Sequence, residues 1–143
     1  MKNTVLESER LLLKSLSYKE LELIISNNID KIEYQIEPEA IFDYVKLAIS
    51  KKLVKMKNVD ETIHEWYTYW LIIDKSSKKG MGFIGFKGVP DESGFSEVGY
   101  SISSKSRRKG YMTEALSTLA NWASSFENCK GITAQKVLKE NIG

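Results

Sequence analysis

The hydrophobic period of the chain changes between residues 95 and 126, and no other stretch restricts the fold as much. Over residues 95–103 the apolar Phe95, Val98, Tyr100 and Ile102 come to alternate with small or polar residues, the pattern of a half-buried strand. From Met112 onward Ala115, Leu116, Leu119, Ala120, Ala123 and Phe126 recur at three- and four-residue spacing, so a helix begins near Gly110 and buries that face. The connection is a short basic turn, Lys105-Ser-Arg-Arg-Lys-Gly110. A helix N-terminus leaves about four backbone N–H groups without intrahelical acceptors and carries roughly half a positive charge. No acidic cap stands at this one, so an external anion is a natural partner. Lys105, Arg107, Arg108 and Lys109 reinforce the field, Gly110 lets the chain turn tightly and gather successive amides, and Thr113 adds a hydroxyl. These residues favour a phosphorylated ligand.

The remaining segments supply a sheet and its covering helices. Residues 10–16 predict a first strand, and Ser17-x-x-Glu20 is a capping box for a helix whose Leu21, Leu23, Ile24 and Ile25 end at Asn27-Asn28. Pro38 suits the first turn of a second helix, in which Ile41, Tyr44, Val45, Ala48, Ile49 and Leu53 keep helical spacing. Its other face carries Lys46, Lys51, Lys52, Lys55 and Lys57, a solvated face or a guide for an acidic partner. Residues 65–74, rich in aromatic and β-branched side chains, predict a strand, followed by a turn over 75–80 and a returning strand over 82–88. With residues 95–103 these form an antiparallel meander, and residues 131–137 predict a further strand after the last helix. The order β-α-α-β-β-β-α-β implies an α/β fold with a mixed, mainly antiparallel sheet flanked by helices.

Composition narrows the class. A chain of 143 residues with 42% hydrophobic and 28% charged residues is one globular domain able to bury a core without disulfides or structural metal. A net charge of +2 argues against a nucleic-acid binder, although the basic turn keeps phosphate-backbone contact as a third reading. Cys129 has no partner for an internal disulfide, no pair has metal-ligand spacing, and no apolar run reaches the roughly 18 residues of a membrane span. The expectation is a cytoplasmic protein without metal.

Arg107-x-x-Gly110-x-Met112 directly after a strand resembles the pyrophosphate loop of the GCN5-related N-acetyltransferases (GNAT). The family usually has Gly or Ala where this chain has Met112, whose side chain must then point away from the phosphates. Ser8-Glu-Arg-Leu-Leu-Leu-Lys14 and Glu97-Val-Gly-Tyr100 narrow the resemblance to the RimJ/RimL-like branch, and it extends over nearly all of the chain. The resemblance implies acetyl-CoA as co-substrate and direct transfer to a primary amine, with neither metal nor covalent nucleophile. It puts the pantetheine arm along the amides of Tyr100, Ser101 and Ile102. The pyrophosphate would lie on the amides of Arg108, Lys109, Gly110, Tyr111, Met112 and Thr113, with Arg107 as auxiliary charge. Glu97 shares a strand face with Gly99 and Ser101 and is the candidate general base; the other reading is a carboxylate paired with a lysine. The acceptors implied are a protein N-terminal amine, a polyamine or another small amine.

Other candidates are weaker on chemistry. His64 sits in a polar stretch without a nucleophile motif and reads as an exposed loop residue, and Cys129 lacks the basic surroundings of an activated thiolate. Trp66, Tyr67, Tyr69 and Trp70 divide between core and a possible acceptor pocket, at least half of them core. Against the family pattern, residues 1–143 read as a single acetyltransferase-like domain lacking the usual final helix and last two strands. That would expose the strand over 131–137 and favour a homodimer or domain-swapped assembly, or else mark a truncated product of a longer gene. It also leaves a non-catalytic module that binds CoA or a partner as the alternative function.

Overall fold

Runs such as Trp70-Leu71-Ile72-Ile73 are apolar at every position, which requires burial on both faces of a sheet. A computed structural model, describing residues 3–134, shows that sheet. Its elements are β1 (Val5–Glu7), β2 (Leu11–Ser15), α1 (Tyr18–Ile25), β3 (Gln35–Ile36), α2 (Asp43–Lys57), β4 (Trp70–Asp74), β5 (Lys79–Phe86), β6 (Phe95–Ile102), α3 (Tyr111–Ala123) and β7 (Gly131–Ala134). The strands form one seven-stranded sheet in the order β1-β2-β4-β5-β6-β7, with β3 pairing parallel to the start of β5. Neighbours along that order are antiparallel except β6 and β7, which run parallel from Phe95 opposite Gly131 to Val98 opposite Ala134. The mixed α/β architecture expected from the sequence is therefore present, and its strand over 131–137 is described as far as Ala134.

Alternation along the strands sorts the core into two layers. Leu11, Leu13, Trp70, Ile72, Ile84, Phe86, Val98 and Ile102 pack on one face with Ala115, Leu119 and Ala123 of α3. Leu71, Ile73 and Phe83 face the other way, against Leu21 and Ile24 of α1 and Val45, Ile49 and Met56 of α2. α1 starts where its capping box puts it: Glu20 N–H donates to Ser17 Oγ at 3.1 Å and Ser17 N–H donates to Glu20 Oε1 at 2.9 Å. Such a cap stabilises a helix by about 1 kcal/mol.

Several expectations are corrected. β1 precedes the strand taken as the first, pairing Val5 with Lys14. α2 begins at Asp43, and Pro38 opens a separate 3-10 turn, Pro38–Ala40. The cause is β3: Glu37 N–H donates to Gly80 O at 2.8 Å, so the chain must leave the sheet before the long helix can start. The strand expected over 65–74 is confined to its second half, and Glu61–Trp66 forms a 3-10 helix with Asp60 accepting from Thr62 N–H at 2.9 Å. There the Trp66 ring sits 4.5 Å from Phe86 and 5.2 Å from Trp122, so packing overrides its strand preference. His64 belongs to the same helix and is buried, its Nε2 donating to Met56 O at 2.7 Å, not an exposed loop residue. Cys129 is a buried free thiol.

Candidate active site

After β6 the chain makes a 3-10 turn, Ser104–Ser106, then enters α3 through two left-handed residues, Arg108 at φ 63° and Gly110 at φ 78°. Glycine adopts that conformation at no steric cost, so Gly110 is the residue that permits the approach to the helix. Ile102, Ser106, Arg107, Arg108, Gly110, Tyr111, Met112 and Thr113 line one small cavity of about 40 Å³. Among the described residues, the backbone N–H groups of residues 108–113 have no acceptor; the first bond into α3 is Glu114 N–H to Gly110 O at 3.1 Å. Met112 is partly buried and packs against the core cluster.

The loop is braced from the N-terminal segment. Glu114, in the first turn of α3, accepts from Ser8 Oγ at 2.5 Å, from Arg10 N–H at 2.8 Å and from Arg10 Nε at 2.7 Å. Arg10 Nη1 also donates to Lys109 O at 2.9 Å, and the guanidinium lies 4.4 Å from the centre of the Tyr111 ring. Burial pushes the Glu114 carboxyl up, but the hydrogen bonds from Ser8 and Arg10 outweigh it and hold the carboxyl below its ordinary range. A carboxylate here would otherwise oppose an anion at the same helix end. Sequence reasoning missed this role of Ser8, Arg10 and Glu114, although the Ser8-Glu-Arg motif was in view.

The cations do not act together. Lys105, expected to add to the field of the loop, turns away and bridges Glu37 and Glu39, each at 2.8 Å. Arg107 bends back, its Nε donating to Ile102 O at 3.3 Å and its guanidinium 5.7 Å from the Phe42 ring centre. Arg108 and Lys109 remain exposed beside the cavity.

Along β6, hydrogen bonding separates the residues expected to meet a pantetheine arm. Lys87 N–H donates to Glu97 O at 2.8 Å and Ser103 N–H to Met81 O at 2.8 Å, so alternation turns the Gly99 and Ser101 amides toward β5. The Tyr100 and Ile102 amides point to the opposite edge, where the described pairing with β7 ends at Val98 and Ala134. Ser101 instead presents its hydroxyl, 2.9 Å from the Tyr44 hydroxyl of α2. Glu97 Oε2 lies 3.7 Å from Lys87 Nζ, both side chains about 40% exposed (42% and 40%), so the lysine contact considered for it exists.

A larger cavity, about 420 Å³, lies between α2 and this strand, lined by Tyr44, Leu47, Ala48, Lys51, Lys52, Lys55, Tyr67, Tyr69, Lys87, Gly99 and Tyr100. The aromatic stretch therefore divides: Trp66 and Trp70 are core, while Tyr67 and Tyr69 reach the cavity. The lysine face of α2 is not uniformly solvated. Lys52 is buried, with Nζ donating to Phe86 O at 3.1 Å and Tyr67 O at 3.4 Å and standing 4.5 Å from the Tyr69 ring centre. Burial first, and the charges of Lys55 and Lys87 second, push its amine down to about 7. Among the described residues no cluster of His, Cys, Asp and Glu could hold a metal ion, and no helix is long and apolar enough to cross a membrane.

Comparison with known proteins agrees with this fold. A Bacillus subtilis (strain 168) relative described as the uncharacterized N-acetyltransferase YjdG is 44% identical over 74 residues. That stretch is 52% of this chain and 44% of the relative, so the match spans less than half of that protein. Solved structures share the fold at lower identity. One is a Salmonella typhimurium acetyl transferase that modifies the N-terminal serine of 50S ribosomal subunit protein L7/L12, at TM-score 0.59 and 10% identity, covering 92% of this chain and 74% of that one. Another is the microcin C7 self-immunity acetyltransferase MccE in complex with acetyl-CoA and AMP, at TM-score 0.55 and 19% identity, covering 92% and 72%. The family model for the acetyltransferase (GNAT) domain matches residues 10–142, and the chain belongs to that family.

Proposed function

We propose that this chain binds acetyl-CoA through residues 107–113 and transfers the acetyl group to a primary amine. The observation that carries this reading is the run of backbone N–H groups over 108–113 that lack acceptors among the described residues, around one cavity at the start of α3. A diphosphate satisfies such groups and is favoured by the helix field. The Tyr100 and Ile102 amides face the edge along which an extended amide-bearing arm would add hydrogen bonds, with Ser101 fixing the strand from its other side. Acetyl-CoA supplies an activated acyl group, which the amine nitrogen takes with release of the thiol.

The chain's own task is to receive the proton and hold the amine. Glu97 takes the proton of the acceptor ammonium, directly or through a water, and Lys87 orients its carboxylate. Gly99 lines the larger cavity, which receives the acceptor. The buried free thiol of Cys129 suits a reducing, cytoplasmic setting. β7 is the last strand in the sheet order among the described residues, and its outer edge suits pairing with a second copy. A folded monomer in gel filtration at high concentration would remove that assembly.

The test is calorimetric titration with acetyl-CoA, with desulfo-CoA and ADP as controls, followed by thiol release against amines. Saturable binding of acetyl-CoA and desulfo-CoA, and turnover lost in Glu97→Gln with binding retained, is the expected result. Absence of CoA binding by a folded sample sinks the reading, and binding without turnover of any amine leaves a binding module.

A further inference from the structure

The acceptor side of the site carries a charge that acetyl transfer does not itself require. Lys51, Lys52, Lys55 and Lys87 line the larger cavity, whose described lining includes no Asp or Glu, and Glu97 borders it through its contact with Lys87. Lys51 and Lys52 come from one turn of α2 and Lys55 from the next, and Lys87 follows directly on β5. Among the described residues Lys51 has no carboxylate within ion-pair distance, Lys55 Nζ reaches only the Lys87 carbonyl at 3.5 Å, and Lys87 meets Glu97 at 3.7 Å. Like charges four residues apart on a helix, as Lys51 and Lys55 are, destabilise it. An anion in the cavity removes that repulsion.

The rest of the wall is apolar or aromatic, with Tyr44, Leu47, Tyr67 and Tyr69. Buried Lys52 places its amine at this wall among backbone carbonyls, where charge interactions are less screened than at the surface. Burial, and after it the charges of Lys55 and Lys87, push that amine down. Lys87 brings the same sign next to the strand: a Cβ built on Gly99 would stand 3.5 Å from Lys87 Cε, so the lysine stem crosses directly over Gly99.

We infer that the cavity selects an acceptor whose primary amine is accompanied by a negatively charged group, a carboxylate or a phosphate, and rejects polycationic amines. The inference rests on the acetyl-transfer reading, which puts the amine at the Gly99 and Tyr100 end of the cavity. The acceptor's anion meets Lys51 and Lys55 on the α2 side, while the apolar wall covers its carbon skeleton. The same cationic field favours the neutral form of the acceptor amine, the form that attacks.

The test compares amines of graded charge at saturating acetyl-CoA: the amide-capped peptides Ser-Glu-Glu, Ser-Gln-Gln and Ser-Lys-Lys, with acetylation of the N-terminal amine read by mass spectrometry, phosphoethanolamine against ethanolamine, and spermidine. The expected kcat/KM for the Glu peptide or for phosphoethanolamine exceeds that of its cationic or neutral counterpart by about tenfold. The preference shrinks at high salt, disappears in Lys51→Gln/Lys55→Gln and reverses in Lys51→Glu/Lys55→Glu, with folding of both variants checked by melting. A preference confined to phosphoethanolamine identifies phosphate as the anion; one confined to the Glu peptide identifies carboxylate. Equal turnover across the series, or a preference for Ser-Lys-Lys or spermidine, overturns the inference and leaves acetyl transfer standing. If no amine is acetylated, binding of fluorescent Glu and Lys peptides decides. Tighter binding of the Glu peptide, lost in the double variants, keeps the charge selection and removes the transfer reading, and equal binding removes both.

Discussion

Two basic regions flank β6, and they hold positive charge in opposite ways. At the start of α3 the field comes from backbone N–H groups and the helix end, and the side chains are largely diverted: Lys105 to Glu37 and Glu39, Arg107 to the Ile102 carbonyl. At the α2 cavity the backbone contributes nothing cationic, and the charge is entirely that of lysine side chains. A fixed array of amides suits a ligand of constant shape, such as a diphosphate. Flexible lysines select sign more than shape. The two cavities have no lining residue in common, so perturbing one should leave the other nearly intact.

The largest effect is expected at Gly110. Aspartate tolerates a positive φ better than most residues, so Gly110→Asp chiefly puts a carboxylate among the amides of the loop. Affinity for acetyl-CoA should fall by about 30-fold, the equivalent of about 2 kcal/mol. Arg108→Glu should act in the same direction more weakly, whereas Lys51→Glu should change acetyl-CoA affinity less than twofold. Calorimetry on the three folded variants checks the separation, and a matching loss in Lys51→Glu would merge the two regions.

The lysine cavity is sharpened by pH. The Lys52 amine is depressed from its ordinary 10.5 to about 7 in the folded chain, by burial and then by Lys55 and Lys87. Between these values the unfolded chain binds more protons, so stability rises with pH across that window. Below it, the cost of the buried charge is fully present. The gain is at most about 1.4 kcal/mol per pH unit, and Lys52→Met should flatten that slope. Urea midpoints at pH 7, 8 and 9 measure it; parallel slopes in both proteins would mean that Lys52 does not titrate there.

How much of this was legible follows from distance along the chain. The change of period, Gly110 and the capping box of Ser17 and Glu20 are local, so their physics is written in adjacent residues. The late start of α2 depends on Gln35 and Ile36 pairing with β5, and the buried end of the lysine wall on Phe86 and Tyr67 carbonyls offered to Lys52. His64 looked exposed because its neighbours are polar, yet Met56 O supplies its partner. No local pattern records contacts of that kind.

Arg10 shows a middle case, since its motif was visible and its role was not: its backbone N–H meets Glu114 across 104 residues. Arg10→Met leaves the Glu114 carboxylate at the helix end with fewer donors, so acetyl-CoA affinity should fall by about fivefold. Adding Glu114→Gln removes the opposing charge and should recover part of the loss. A double variant no better than the single would make the brace purely conformational.

The smallest effect is the one that distinguishes proximity from participation. Lys105 lies in the basic turn and, by sequence, looks equivalent to Arg108 and Lys109. In the structure Glu37 and then Glu39 raise its ammonium above its ordinary value and hold it on the α2 side of the turn, where Ser103 Oγ also donates to Glu37 at 3.2 Å. Lys105→Met should therefore change acetyl-CoA affinity less than twofold, because the amides over 108–113 and the exposed Arg108 are untouched. Calorimetric titration beside Arg108→Glu supplies the scale. A loss in Lys105→Met as large as in Arg108→Glu would mean that the lysine leaves Glu37 and Glu39 for the ligand, and the loop would then depend on side-chain charge much as the α2 cavity does.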